Sequence, residues 1–355
     1  MTANARPCSG CPASPGKGRA EAVGNPNLNQ GSTWVSTGHL PDTAIVQELI
    51  REAHQRFGAS REGRVADYIP ALSSASPASF GIAVADTAGG LFAVGDAEQP
   101  FSIQSISKPF MFALVCQAIG EQEARLKLGV NSTGLPFNSV LAAERSAEGL
   151  SNPMVNAGAI AATSLAPGET AEEKWAFIVE GFSRFAGREL QLDGGVYASE
   201  AANNHRNSGI ASLLGSHERI YFDPELATDL YTRQCSLAVT SRDLAVMAAT
   251  MANGGRNPLS GEQVIEAIHC QHVLAVMVTA GLYESSGDWL YAIGLPGKSG
   301  VAGGMITVAP GKGGLATFSP PLDERGNSVR GQLTARFLSE KLGLNLFASR
   351  PGCSS

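Results

Sequence analysis

Strand-forming runs cluster at the two ends of this chain, and helical periodicity fills the span between them. Near the start, Ser79-Phe80-Gly81-Ile82-Ala83-Val84-Ala85 and Leu91-Phe92-Ala93-Val94-Gly95 flank Thr87-Ala88-Gly89-Gly90, which reads as a hairpin. Near the end, Trp289–Ile293, Ala302–Val308 and Gly314–Phe318 read as strands. Between them the periodicity predicts helices over 156–165, 171–186, 197–214, 223–233, 241–253 and 262–281. A first helix begins at Asp42 or Thr43 and runs through Ile45, Leu49, Ile50 and His54; a last one spans about Ser328 to Leu342. A sheet begun by the hairpin can be completed only by strands from the far end. The expected fold is therefore α+β: an antiparallel sheet from the N-terminal hairpin and C-terminal strands, flanked by helices, plus an all-helical lobe.

The expected organisation is a flexible extension over 1–40, one domain over 41–345 and a tail over 346–355. Within the domain the sheet lobe takes about 41–104 and 285–345, and the helical lobe about 105–284. At 355 residues and 43% hydrophobic composition the chain can bury a large core. A net charge of −6, without a basic block, argues against nucleic acid as a partner. No apolar run reaches membrane-span length, so no membrane is expected either. Met1–Cys8 lacks the apolar core of a signal peptide, and a cytoplasmic location is expected. Cys116, Cys235 and Cys270 sit in apolar helical contexts and read as inert core thiols. Cys8-Ser9-Gly10-Cys11 has no second pair or nearby His to complete a zinc site.

Within this frame the chemistry concentrates at Gln104-Ser105-Ile106-Ser107-Lys108. A Ser and a Lys three apart share one face of a helical turn, which can set an amine beside a hydroxyl. Ser14-Pro15-Gly16-Lys17 matches the same pattern, but its Pro/Gly-rich setting cannot hold a helical turn. Behind Ser105 the apolar run Phe110-Met111-Phe112-Ala113-Leu114-Val115 predicts a buried helix, and a lysine at its root is costly without partners or a task. Far downstream stands Lys298-Ser299-Gly300. Ser-x-x-Lys followed by Lys-[Ser/Thr]-Gly is the signature of serine acyl-transfer enzymes built like penicillin-binding proteins and class A β-lactamases.

A serine hydroxyl needs a base, and Lys108 can act as one only when neutral. Its pKa must fall from about 10.4 to near 7, roughly 4 kcal/mol of environment. Burial against Phe101, Phe110 and Phe112 contributes, and Lys298 is the candidate for a second nearby cation. The N–H groups of Ser105 and Val301 are the expected oxyanion donors. No metal and no organic cofactor is expected; His269 and His272 lack acidic or thiol partners that would make a site.

The chain resembles the serine-dependent glutaminases, amidohydrolases that convert L-glutamine to L-glutamate and ammonia, over about residues 45–342. The resemblance rests on Tyr68-Ile69-Pro70, Gln104–Lys108, Asn152-Pro153-Met154-Val155-Asn156-Ala157-Gly158-Ala159-Ile160, Ser199-Glu200 with Arg206-Asn207, and Gln234-Cys235-Ser236. It continues through Met247–Gly255, Gly294-Leu295-Pro296, Lys298–Gly304 and Phe318–Asp323. It implies Ser105 as nucleophile, Lys108 as base, Tyr68 and Tyr283 beside the pair with Tyr283 a proton relay, and Val301 as an oxyanion donor. It implies Asn156, Glu200, Asn207 and Tyr231 as the pocket for the amino-acid backbone of the substrate, with Lys298, Ser299 and Gly300 in support. It further implies L-glutamine and water as reactants and a homo-dimer or homo-tetramer. The chemistry agrees: a carboxylate suits the substrate ammonium, and amides and phenols suit its carboxylate without a cation to weaken Glu200. The alternative is another serine acyl-transfer hydrolase of the β-lactamase or peptidase type; the absence of any Ser-x-Asn or Tyr-x-Asn between the two motifs weighs against it.

Overall fold

The architecture is seen in a computed structural model, which describes residues 38–141 and 150–348. The Cys8–Cys11 pair and nearly all of the expected N-terminal extension lie outside the described residues. In chain order, α1 (Thr43–Phe57) precedes the hairpin β1 (Gly81–Asp86) and β2 (Leu91–Gly95). The short β3 (Phe101–Ser102), a 3-10 turn over Gln104–Ile106, α2 (Ser107–Ile119) and α3 (Glu121–Leu128) follow. The helical middle holds α4 (Asn156–Ser164), α5 (Ala171–Ala186), β4 (Gln191–Leu192), α6 (Gly194–Ala201), α7 (His205–Ser216) and α8 (Pro224–Cys235). It continues with β5 (Leu237–Val239), α9 (Ser241–Ala252), α10 (Ala267–Ala280) and α11 (Ser286–Ile293). The chain then closes with β6 (Gly297–Ser299), β7 (Gly304–Ala309), β8 (Gly313–Phe318) and α12 (Val329–Lys341).

The main sheet has the order β2-β1-β8-β7-β6, antiparallel throughout. Gly81 pairs with Phe318 and Asp86 with Gly313, so the N-terminal hairpin is stitched to the last strand as its sequence required. Alternation sorts the side chains. Ile82, Val84 and Leu315 face α1 and α12 in one core, which also holds Val46, Ile50 and Leu338. Ala83, Ala85 and Ala316 face the helical middle in a second, larger core. The small residues on that side let α9 lie close. A Cβ built at Gly314 would stand 2.5 Å from the Ala245 carbonyl oxygen and the Ala249 nitrogen. Among the described residues no helix is long and apolar enough to cross a membrane.

At the centre of the helical middle runs α2, buried from Ser107 to Cys116. A helix apolar on every side belongs in the interior. Phe110 packs against the rings of Phe182 and Phe185 at 6.2 and 5.2 Å between centroids. Ahead of it, a small sheet pairs Phe101 with Val239, and Ile103 N–H donates to the Leu237 carbonyl at 2.9 Å. The turn that carries Ser105 is thus held between a strand and a buried helix.

Several segments differ from the sequence reading, among them the expected all-helical lobe, which contains the short β4 and β5 paired with each other and with β3. Trp289–Ile293, expected as a strand, is the latter part of α11: Ser286, Trp289 and Ile293 are buried at helical spacing while Tyr291 is 94% exposed. Its aromatic and aliphatic content favours strands, but burial on one helical face and a left-handed Gly294 cap decide otherwise. The span 197–214 divides into α6 and α7 at a turn where the Asn204 amide donates to Thr232 Oγ1 at 2.6 Å. The helix expected over 262–281 starts only at Ala267, because Gln263 first bridges to Arg256. The helix α3, between Gly120 and Gly129, was not anticipated. Its charged sequence buries only Ala124 and Leu128.

The close seat of α9 on the sheet predicts that Gly314→Ala destabilises the protein by about 1–3 kcal/mol, since two backbone atoms must give way. The denaturant midpoint would fall accordingly; an unchanged midpoint would contradict the packing described.

Candidate active site

Gln104 precedes Ser105 with φ +51°, a conformation that a non-glycine residue adopts only when its surroundings enforce it. Here they do. Its amide Nε2 donates to Ser102 Oγ at 3.1 Å and to Glu200 Oε1 at 2.6 Å. The segment just after β6 closes from the other side: a Cβ at Gly300 would lie 3.0 Å from the Ile103 carbonyl oxygen and 3.3 Å from Gln104 Cβ. Glycine at 300 lets the two segments meet at backbone distance. Among the described residues the N–H groups of Ser105 and Val301, on these facing segments, donate no hydrogen bond.

Lys108 lies one turn further along, 1% exposed. Its Nζ donates to Asn156 Oδ1 at 2.7 Å, and burial pulls its pKa down to about 7. Asn156 opens α4 and acts as a hub. Its Oδ1 also accepts from the Tyr231 hydroxyl at 3.4 Å, and its Nδ2 donates to Asn207 Oδ1 at 3.0 Å. Tyr283, at φ +57°, has Ser105 beside its hydroxyl, which offsets part of the upward push that burial gives the phenol. The Tyr283 oxygen accepts from Lys298 Nζ at 2.8 Å, and Lys298 donates also to the Ser299 carbonyl at 2.9 Å. Burial, reinforced by Lys108, holds Lys298 well below its ordinary pKa. Ser299 Oγ is anchored on Asn327 Oδ1 at 2.6 Å.

A cavity of about 170 Å³ is lined by Ser105, Tyr68, Asn156, Glu200, Asn207, Tyr231 and Val301. Every substrate-facing residue singled out from the sequence except Tyr283 therefore lines one cavity. Tyr283 lies beside it against Phe137, another lining residue, with ring centroids 5.2 Å apart. Lys108 and Lys298 are buried and do not line it. Tyr68 stands 56% exposed, on a loop tied to α6 where Ala71 N–H donates to Ser199 Oγ at 3.2 Å. Desolvation raises the Glu200 carboxyl to about 7, opposed by the Gln104 hydrogen bond.

Several lining residues were not assigned from the sequence. Gln104 is among them, although its place beside Ser105 was a signal. Arg206 also lines the cavity, its Nε donating to the Asn138 carbonyl at 2.8 Å, so the cavity does contain a cation. Cys235 lines it too, its thiol pushed up to about 12 by burial and then by Glu200. Among the described residues no group of three His, Cys, Asp or Glu side chains could hold a metal ion.

Comparison with known proteins places this geometry. The sequence model of the glutaminase family matches residues 63–347. Glutaminase 2 of Yersinia pestis is 59% identical over 318 residues, covering 90% of this chain and 94% of that protein. A glutaminase of Colwellia psychrerythraea is 48% identical over 307 residues, 86% of this chain and 99% of its own. Among solved structures, the probable glutaminase ybaS superposes with a TM-score of 0.85 at 42% identity, over 87% of this chain and all of that one. Mglu in its glutamate form superposes at 0.80 with 39% identity, over 84% of this chain and 69% of that one. On the extent of these matches, the chain belongs to the glutaminase family.

Proposed function

We propose that this protein hydrolyses the side-chain amide of L-glutamine to L-glutamate and ammonia through an acyl-enzyme on Ser105. The observation that carries the reading is the single cavity in which the Ser105 hydroxyl, one carboxylate and a set of amides and phenols converge. A relative solved in a glutamate form supports a product of that shape.

Glu200 takes the substrate ammonium, and Asn156, Asn207 and Tyr231, with Arg206 nearby, take its α-carboxylate. The side-chain amide carbon then lies at Ser105. Neutral Lys108 accepts the hydroxyl proton as the C–O bond forms. The oxyanion rests on the N–H groups of Ser105 and Val301, which have no other partner among the described residues. Nitrogen leaves protonated as ammonia, and water cleaves the glutamyl ester.

Ser105→Ala is expected to lower ammonia release from glutamine by at least about 10³-fold while the protein still binds L-glutamate. A coupled ammonia assay and a calorimetric titration check both halves; activity persisting in this variant would remove Ser105 from the mechanism. The pH dependence has a definite sign. Lys108 accepts a proton only above its pKa of about 7, and Glu200 pairs with an ammonium only above its own value of about 7. Both place a rising limb on kcat/KM through about pH 7. Glu200→Gln takes one ionisation out of that limb and raises KM, whereas a wild-type profile that falls between pH 6 and 8 would exclude neutral Lys108 as the base.

A further inference from the structure

Lys298 is 0% exposed, and the glutamine-cleavage cycle as so far written gives it nothing to do. Among the described residues neither Lys298 nor Lys108 has a carboxylate within ion-pair distance. Two unpaired ammonium groups on one buried ring would be doubly penalised by desolvation and mutual repulsion. Both nonetheless sit against Tyr283, with Nζ atoms 5.5 Å (Lys108) and 4.2 Å (Lys298) from the ring centroid. The two are bonded differently. Lys108 Nζ donates to Asn156, on the substrate-pocket side; Lys298 Nζ donates to the Tyr283 hydroxyl, which in turn meets Ser105. Tyr283 is held at positive φ to make that bridge. The other titratable groups that face Tyr283 are Tyr68, Cys235 and Glu284.

We propose that Lys108 and Lys298 share a single proton across Tyr283, and that Lys298, acting through the Tyr283 hydroxyl, protonates the departing ammonia. The inference rests on Ser105 being the nucleophile. The cycle balances. At the start Lys108 is neutral and Lys298 carries the proton. Ser105 Oγ bonds to the amide carbon, its proton passes to Lys108, and the carbonyl π electrons move to oxygen. When the oxyanion re-forms the carbonyl, the C–N bond breaks. The nitrogen takes the Tyr283 proton and leaves as ammonia, and Lys298 restores the phenol. The proton now resides on Lys108. In the second half water attacks the ester and loses a proton through Tyr283 to Lys298, the C–Oγ bond breaks, and Lys108 returns the proton to Ser105. The starting state is recovered with no co-reactant other than water. The Lys108 charge adds to burial in lowering Lys298, so a proton on one amine disfavours a proton on the other. Lys298 does not touch the substrate in this scheme; it is a positioning residue that supplies Tyr283.

The test compares two substrates in a single turnover: L-glutamine, whose nitrogen must be protonated to leave, and the γ-p-nitrophenyl ester of L-glutamate, whose phenolate leaves without a proton. Lys298→Met is expected to slow first-turnover ammonia release by about 10²-fold or more while leaving the p-nitrophenolate burst within a few-fold of wild type. Tyr283→Phe is expected to show the same selectivity, whereas Lys108→Met slows both substrates together. Lys298→Arg keeps the charge but holds its proton too tightly to give it up, so it is not expected to restore amide cleavage. Equal loss on both substrates in Lys298→Met, or full rescue by arginine, overturns the proposal in favour of a packing or purely electrostatic role. Ester and amide cleavage that both survive Ser105→Ala would instead strike the nucleophile assignment on which it rests, a separate result.

Discussion

Burying an amine without a counter-ion is the constraint around which this molecule is arranged. Lys108 and Lys298 enter the interior on two elements far apart in sequence, the root of α2 and the edge strand β6. Neither brings an acid with it. Desolvation leaves such groups the choice of neutrality or a dense set of neutral partners. The neutral partners supply much of the site: the Asn156 oxygen, the Tyr283 hydroxyl and the Ser299 carbonyl. What would be a liability in a structural core is a source of reactivity beside a serine, because a depressed amine can take up a proton at neutral pH. The same interior contains the opposite case. Arg330, 1% exposed, stays charged in a nest of carbonyls from Pro77, Ala78 and Ser79 and the Ser319 hydroxyl, and there it serves as a staple.

The strained turn at Gln104 links the two halves of the cavity. Its backbone presents Ser105, and its side chain grips Glu200. Displacing one therefore displaces the other. Gly300 presses the Lys-Ser-Gly segment against the same turn, so the sheet edge, the buried helix and α6 meet within a few residues. Precision here comes from crowding around one unfavourable dihedral angle.

Most of the fold was legible because its signals are local and redundant. Two apolar, strand-forming runs flanked a Gly-Gly turn at β1–β2, and α5 carried a full capping box at Thr170 and Glu173. What escaped depended on neighbours distant in sequence. The strand-like composition of Trp289–Ile293 was overruled by burial of one helical face. The break between α6 and α7 rests on an Asn204–Thr232 hydrogen bond. The site follows the same division. Ser105 and Lys108 announce themselves by spacing. Asn156, which in isolation reads as a helix cap, has Val155 as the capping residue before it and turns its side chain to Lys108 instead. Arg206 and Cys235 could not be placed, since nothing in their immediate sequence points to a cavity assembled from six other segments.

The pairing of β1 with β8 has a kinetic consequence. Gly81 cannot find Phe318 until almost the whole chain exists, and β6 and β7 reach the hairpin only through β8. Contacts this distant in sequence make for slow closure. While the polypeptide is being synthesised, the β1–β2 hairpin has an open edge with apolar residues on both faces, the kind of surface that invites association with other chains. The serine turn can form early, yet the Lys-Ser-Gly strand that presses on it is made near the end. Reactivity therefore arrives as one of the last events of folding, and a chain cut short before β6 would hold its serine in a turn without Lys298, Val301 or a completed sheet behind it.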